Sequence, residues 1–203
     1  QDLAGKDRHV RRAAVQVYGL PESTINQRIR AMLDRDRNPL LGLLPHLGTI
    51  TIELVATGQS PQETKALIEQ DLAMLREALG PYVISEDGRE LPQVVADLLR
   101  ERDLTIAVAE IGTAGLVSAR LNEPEGAWRW FCGGSVPEES DTQQSEQLSQ
   151  VLAARQATIA DVGVGVGPIV FAEDSSPTRP HGAIDVVIND RGEETLHHLK
   201  FNG

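Results

Sequence analysis

The chain has 203 residues, 40% of them hydrophobic but only 3% aromatic, so aliphatic side chains must build its core. A net charge of -11 argues against generic binding of nucleic acid or an anionic membrane. The single cysteine, Cys132, excludes an internal disulfide framework and fits a reducing, cytoplasmic setting. No stretch approaches the roughly 20 apolar residues of a membrane helix, and no signal peptide opens the chain, so no membrane partner is expected. The chain starts at Gln1 and not at Met, which suggests a piece of a longer protein.

Residues 1–12 are polar and read as a linker or domain entry. Ala13–Tyr18 alternates as a strand. After Gly19-Leu20-Pro21, the residues Ile25, Ile29, Met32 and Leu33 mark one face of a helix, which Asn38-Pro39 ends. Thr49–Ala56 is a second strand. Ser60-Pro61-Gln62-Glu63 is a capping box with proline at the first helical position, and the helix it opens carries Ile68, Leu72, Leu75 and Leu79 until Gly80-Pro81. A short extended piece, Tyr82–Ser85, and a helix with Leu91, Val94, Val95, Leu98 and Leu99 follow.

Leu104–Ala109 is a continuous apolar run, the pattern of a strand covered on both faces. It runs into Glu110-Ile111-Gly112-Thr113-Ala114-Gly115 and a helical stretch to Leu121. A glycine-containing loop before a helix offers backbone N–H groups as an anion cradle, or it is a tight turn that needs small residues. Asp161–Gly167 is a glycine-rich strand whose glycines admit either a ligand or a closely packed helix. The Ala172–His181 loop suits a rim, and 183–188 with 195–201 form a hairpin closed by Asn189-Asp190-Arg191-Gly192. Cys132 reads as a small core residue. The five histidines match no metal-ligand spacing, and His197 and His198 point to opposite faces of a strand. No metal or cofactor is expected.

The fold class is therefore α/β. A small α+β domain occupies 9–85, and an α/β domain occupies 90–203 with its chemistry at strand C-terminal ends.

Residues 104–134 resemble the opening of the CinA C-terminal domain, an apolar strand followed by A-E-S-C-T-G-G, a helix, P-G-S-S and G-G. The likeness continues at Gly167-Pro168, at Pro180-His181-Gly182, and at Phe201-Asn202-Gly203. Arg37-Asn38-Pro39 and the strand after it resemble the KH-type middle domain of the same family. The resemblance implies a dimeric protein whose C-terminal domain hydrolyses nicotinamide mononucleotide to nicotinate mononucleotide and ammonia. It also implies a preceding molybdopterin-binding-like domain, absent from 1–203, and a truncated C-terminal domain.

This sequence departs from the family pattern where chemistry is expected. The family's nucleophilic serine position is Ile111, the following cysteine is Gly112, and the P-G-S-S stretch reads Glu125-Gly126-Ala127-Trp128, without a hydroxyl. The stretch holding the family's Tyr and Lys is shortened around Val136 and Pro137–Ser140. The resemblance then leaves Thr113, oriented by Glu110, as the catalytic candidates. Gly112, Ala114, Gly115, Gly133, Gly134, Gly167, Pro168, His181 and Gly182 are the candidates for holding a nucleotide-like ligand. The expected function is a catalytically impaired nucleotide-binding or scaffold module; the alternative is a working amidohydrolase. No GXXG loop occurs within 9–85, so nucleic acid is not an expected partner.

Overall fold

A computed structural model describes residues 8–46, 48–137 and 145–202. The chain divides into two compact units, Gln1–Val94 and Val95–Gly203. Among the described residues no helix is long and apolar enough to cross a membrane.

In the first unit β1 (His9–Tyr18), β2 (Leu40–His46), β3 (Thr49–Gly58) and β4 (Val83–Ser85) form an antiparallel sheet in the order β2-β3-β1-β4. Alternation along β1 and β3 sets Val15 opposite Ile52 and Val17 opposite Ile50 on one face. That face is covered by α1 (Glu22–Arg28) and α2 (Pro61–Leu79), which bury Ile25, Ile68, Leu75 and Leu79 against it. The expected single helix over Ile25–Leu33 ends at Arg28 and continues as a 3-10 turn at Arg30–Met32, still burying Ile25, Ile29 and Met32. At the start of α2, Ser60 Oγ accepts from the Glu63 amide at 3.1 Å, while Glu63 reaches back to the Gln59 amide at 2.6 Å. The capping box closes as read, with its return arm one residue early.

Sequence reading assigned nothing to 40–46. Leu-Leu-Gly-Leu-Leu-Pro-His does not alternate, and its proline is tolerated because β2 is an edge strand. The Arg-Asn-Pro triplet before it locks the unit. Arg37 forks onto the buried Asp71 of α2 at 2.8 and 3.0 Å and also donates to the Met32 carbonyl at 3.2 Å. The Asn38 side chain donates to Thr57 O at 2.6 Å and accepts from Thr57 N at 2.9 Å, as a paired strand residue would. Arg37→Ala leaves the Asp71 carboxylate buried without its cation and is expected to destabilise this unit by about 3–5 kcal/mol. Tyr18 and Tyr82 are the only tyrosines and both lie in this unit, so tyrosine fluorescence during denaturant unfolding reads the loss.

The second unit opens on α3 (Leu91–Glu101), which starts in the first unit's last residues. Next come β5 (Ile106–Glu110), α4 (Leu116–Leu121), β6 (Phe131–Ser135), α5 (Ser145–Gln156), β7 (Val162–Phe171), β8 (His181–Asp190) and β9 (Glu193–Asn202). The sheet order is β6-β5-β7-β8-β9, with β5 parallel to both its neighbours and the last three strands antiparallel. Every residue of β5 is buried, as its unbroken apolar run predicts. One face of the sheet packs Val108, Val164 and Val166 with Ala96, Leu99, Leu121 and Trp130. The other face carries α5.

The glycines of β7 meet a helix and not a ligand. A Cβ on Gly163 would fall 2.1 Å from the Ala153 carbonyl oxygen, and one on Gly165 would fall 2.0 Å from that of Ser149. The backbone of α5 therefore rests directly on the backbone of β7.

Candidate functional site

β5 and β7 end side by side. Their pairing continues into the loop, because the Ile111 amide donates to Val166 O and the Gly112 amide to Gly167 O, both at 3.0 Å. The loop then turns through Ala114 at φ 49° and Gly115 at φ 95° into α4.

Glu110, the last residue of β5, is fully buried. Its carboxylate accepts from the Thr113 hydroxyl, from Val117 N at 3.0 Å, from Ser118 N at 2.8 Å and from Ser118 Oγ at 2.5 Å. Burial pushes this carboxyl up, but the hydrogen bonds from Ser118, Thr113 and the two amides outweigh it, and the group titrates below its ordinary value of 4.5. The remaining first-turn amides are also engaged, Leu116 N with Thr113 O at 3.0 Å and Ala119 N with Gly115 O at 2.9 Å. Of the two readings of this loop, an anion cradle or a tight turn, the geometry of the first helical turn favours the tight turn. The protein's own carboxylate, rising from beneath, occupies the Val117 and Ser118 amides of the helix N-terminus.

Ile111 turns the other way. It packs against Ala109, Leu148 and Leu152, between the sheet and α5. The position that carries the attacking hydroxyl in the resemblance is thus part of an apolar cluster.

The other candidates separate into groups. Thr113 and Glu110 are in contact, as expected. Gly112 lies against β7, where a Cβ would come 2.7 Å from Gly167 O. Gly167 and Pro168 sit at the irregularity in β7–β8 pairing between Val166 and Ile169, with Gly167 under Ser145 and Ser149 of α5. Gly134 serves the Glu110 cluster from the neighbouring strand, since a Cβ there would stand 2.0 Å from Ser118 Oγ. Gly133 and Gly134 also line a groove of about 400 Å³ between β6 and α5, together with Cys132, Ser135, Leu152 and Arg155. Glu110, Ile111 and Thr113 do not line it. His181 and Gly182 open β8. His181 Nε2 lies 2.7 Å from Asp174 Oδ1 and Nδ1 lies 3.2 Å from Arg179 O, and the Asp174 contact foremost raises the imidazole above its ordinary 6.5.

Cys132 is exposed, not a core residue. β6 pairs Phe131 with Ile106 and Gly133 with Ala107, so Cys132 is the extra residue of a bulge. His198 on β9 contacts Asp185 Oδ1 at 2.7 Å. Among the described residues no three His, Cys, Asp or Glu side chains are disposed to hold a metal. The shortened stretch beginning at Pro137 lies, from residue 138 through 144, outside the described residues.

Ser118 escaped the sequence reading, which placed it only inside a helix. The available signal was Glu110 itself, because a carboxylate ending a strand buried on both faces requires donors nearby.

Comparison with known proteins finds matches for both parts of the chain. Residues 12–85 match the family model described as the damage-inducible protein CinA KH domain, and residues 88–145 match that of the CinA C-terminal domain. A CinA-like protein of Dictyoglomus thermophilum is 25% identical over 93% of this chain and 50% of its own length. A CinA-like protein of Geobacter metallireducens is 28% identical over 98% of this chain and 52% of its own. The chain thus spans about half the length of the curated relatives it matches. The crystal structure of a competence-damaged protein (CinA) superfamily protein from Enterobacter cloacae aligns with a TM-score of 0.48 at 23% identity, covering 56% of this chain and 78% of that one. With a KH-domain match followed directly by a C-terminal-domain match, the chain belongs to the CinA family.

Proposed function

We propose that the second unit is a CinA C-terminal domain whose amidohydrolase chemistry is silenced, and that it serves as a scaffold or nucleotide-binding module in a cytoplasmic homo-oligomer. The observation that carries this reading is Ile111, packed into the apolar cluster with Leu148 and Leu152. A branched hydrocarbon has no lone pair with which to attack the amide carbon of nicotinamide mononucleotide. Glu110 does not supply a base in its place. Its carboxylate is saturated by four donors and titrates below the usual carboxylate range, far from the neutral pKa that suits proton abstraction.

One observation favours a second reading, the hydrogen bond from the Thr113 hydroxyl to Glu110. Here Thr113 Oγ1 would add to the amide carbon, its proton would pass to Glu110, and ammonia would leave with that proton before water cleaves the ester. Ammonia release from nicotinamide mononucleotide, measured on the chain and on Thr113→Ala, separates the two. We expect no release above the uncatalysed rate from either protein. Turnover by the parent chain overturns the silenced site, and its loss in Thr113→Ala establishes the threonine reading. The heat of titration with the same nucleotide distinguishes a nucleotide-binding module from a scaffold.

A further inference from the structure

Among the described residues the sheets of the two units present four edges, and three of them are guarded. β2 carries Pro45, β4 is three residues long, and β6 is five residues long with a bulge at Cys132. β9 is ten residues long with no proline and no bulge, and the charges it carries, Glu193, Glu194 and Lys200, are of both signs, so they can complement a second copy. It pairs with β8 in unbroken register from His181–Asn202 to Asp190–Glu193, and among the described residues it has no partner on its other side. Residues 193–200 are all exposed, Leu196 and Leu199 among them. Leu199 shares a sheet face with Ile184, and Phe201 meets Phe171 edge to face on that same side.

We propose that β9 is an interface that pairs antiparallel with β9 of a second copy of this chain, with the two-fold axis at His197. The proposal rests on the homo-oligomeric part of the functional reading and not on the silenced site. The turn fixes which residues of β9 face outward, and charge complementarity between Glu194 and Lys200 selects His197 among the axes this allows. Arg191 and Gly192, at φ 48° and 95°, form a two-residue type I′ hairpin, which makes Asp190 and Glu193 a hydrogen-bonded pair. The backbone N–H and C=O groups of residues 194, 196, 198 and 200 therefore point away from β8. Pairing centred on His197 sets these outward residues against one another, Leu196 opposite the second copy's residue 198 and Glu194 opposite its residue 200. The two-fold repeats each pair, so two Glu194–Lys200 oppositions flank the axis. The Glu194 carboxylate is already fixed by Asn189 Nδ2 at 3.1 Å, with its second oxygen left for the lysine. Two five-stranded sheets then join into one continuous sheet.

The chain's mass in solution, measured by sedimentation across micromolar concentrations, tests this. The expected result is a dimer that Lys200→Glu weakens by about tenfold or more, because both attractive oppositions become repulsive. Adding Glu194→Lys to that variant restores the dimer by reversing both pairs. Far-ultraviolet circular dichroism and tryptophan fluorescence confirm that each variant keeps its fold. A monomer at all concentrations overturns the proposal. So does a dimer indifferent to Lys200→Glu, or one that the double variant fails to restore. Ammonia release is read separately, so failure of the interface and failure of the silenced site are distinguishable.

Discussion

Gly165→Ala lowers the stability of the second unit by about 3 kcal/mol, at the upper end of what overpacking a core costs. The added methyl would meet Ser149 O at 2.0 Å, Ala153 N at 2.6 Å and the Leu152 side chain at 3.0 Å. The first two are helix backbone, which cannot rotate aside. α5 must lift from β7 as a whole, which also separates Leu148 and Leu152 from Ala109. Gly42→Ala is the control. It is also a strand glycine, but nothing lies within 4 Å of its Cβ position, so its effect stays within about 0.5 kcal/mol. Both tryptophans, Trp128 and Trp130, lie in the second unit, and Trp130 is buried in its core. Tryptophan fluorescence during denaturant unfolding therefore reports the Gly165 loss without interference from the first unit, and tyrosine fluorescence from Tyr18 and Tyr82 reads the Gly42 control in the first unit.

The second large effect is at Glu110. Glu110→Gln keeps the shape but turns an NH₂ toward groups that are themselves donors, leaving buried amides of α4 unsatisfied, at a cost of about 2–4 kcal/mol. The effect depends on pH in a defined direction. The folded carboxyl titrates below its ordinary 4.5 because its four donors favour the charged form more than burial disfavours it. Its stabilisation is fully present above 4.5 and is lost as pH falls through the lower folded value. The parent chain therefore loses stability in acid more steeply than Glu110→Gln, and the gap between them narrows as pH drops. Urea midpoints measured from pH 7 downward read both features. A constant gap would show that the carboxylate's charge is not what holds α4.

Strong local signals carried much of the architecture. Ser60 caps a helix through the bond to the Glu63 amide that the four-residue pattern states outright, while Glu63 returns to the Gln59 amide just outside it. The apolar run 104–109 and the hairpin turn, read at Asn189–Gly192 and found one residue later at Asp190–Glu193, likewise needed no distant partner to be recognised. β2 and β6 were not legible because each is stabilised from outside. Leu40–His46 extends only because β3 accepts it, and Phe-Cys-Gly-Gly-Ser has no strand propensity of its own. The site was legible in composition but not in role. Glu110 and Thr113 were picked out for chemistry, yet their geometry is that of a helix anchor. Ser118 was passed over because hydroxyls inside helices usually satisfy themselves. The β7 glycines left two alternatives open, and only the position of α5 decides between them.

The anchor at Glu110 bears on how such a chain can change over generations. Selection for folding alone holds the glutamate, the threonine, Ser118 and the small residue at Gly134, whether or not a substrate is ever cleaved. Position 111 has no such tie to the anchor, because Ile111 packs on the other side, against Ala109, Leu148 and Leu152. On the proposed reading of a silenced site, drift erases the nucleophile first and leaves most of the surrounding signature standing. Survival of that signature in a genome is a record of structural debt and not a measure of turnover.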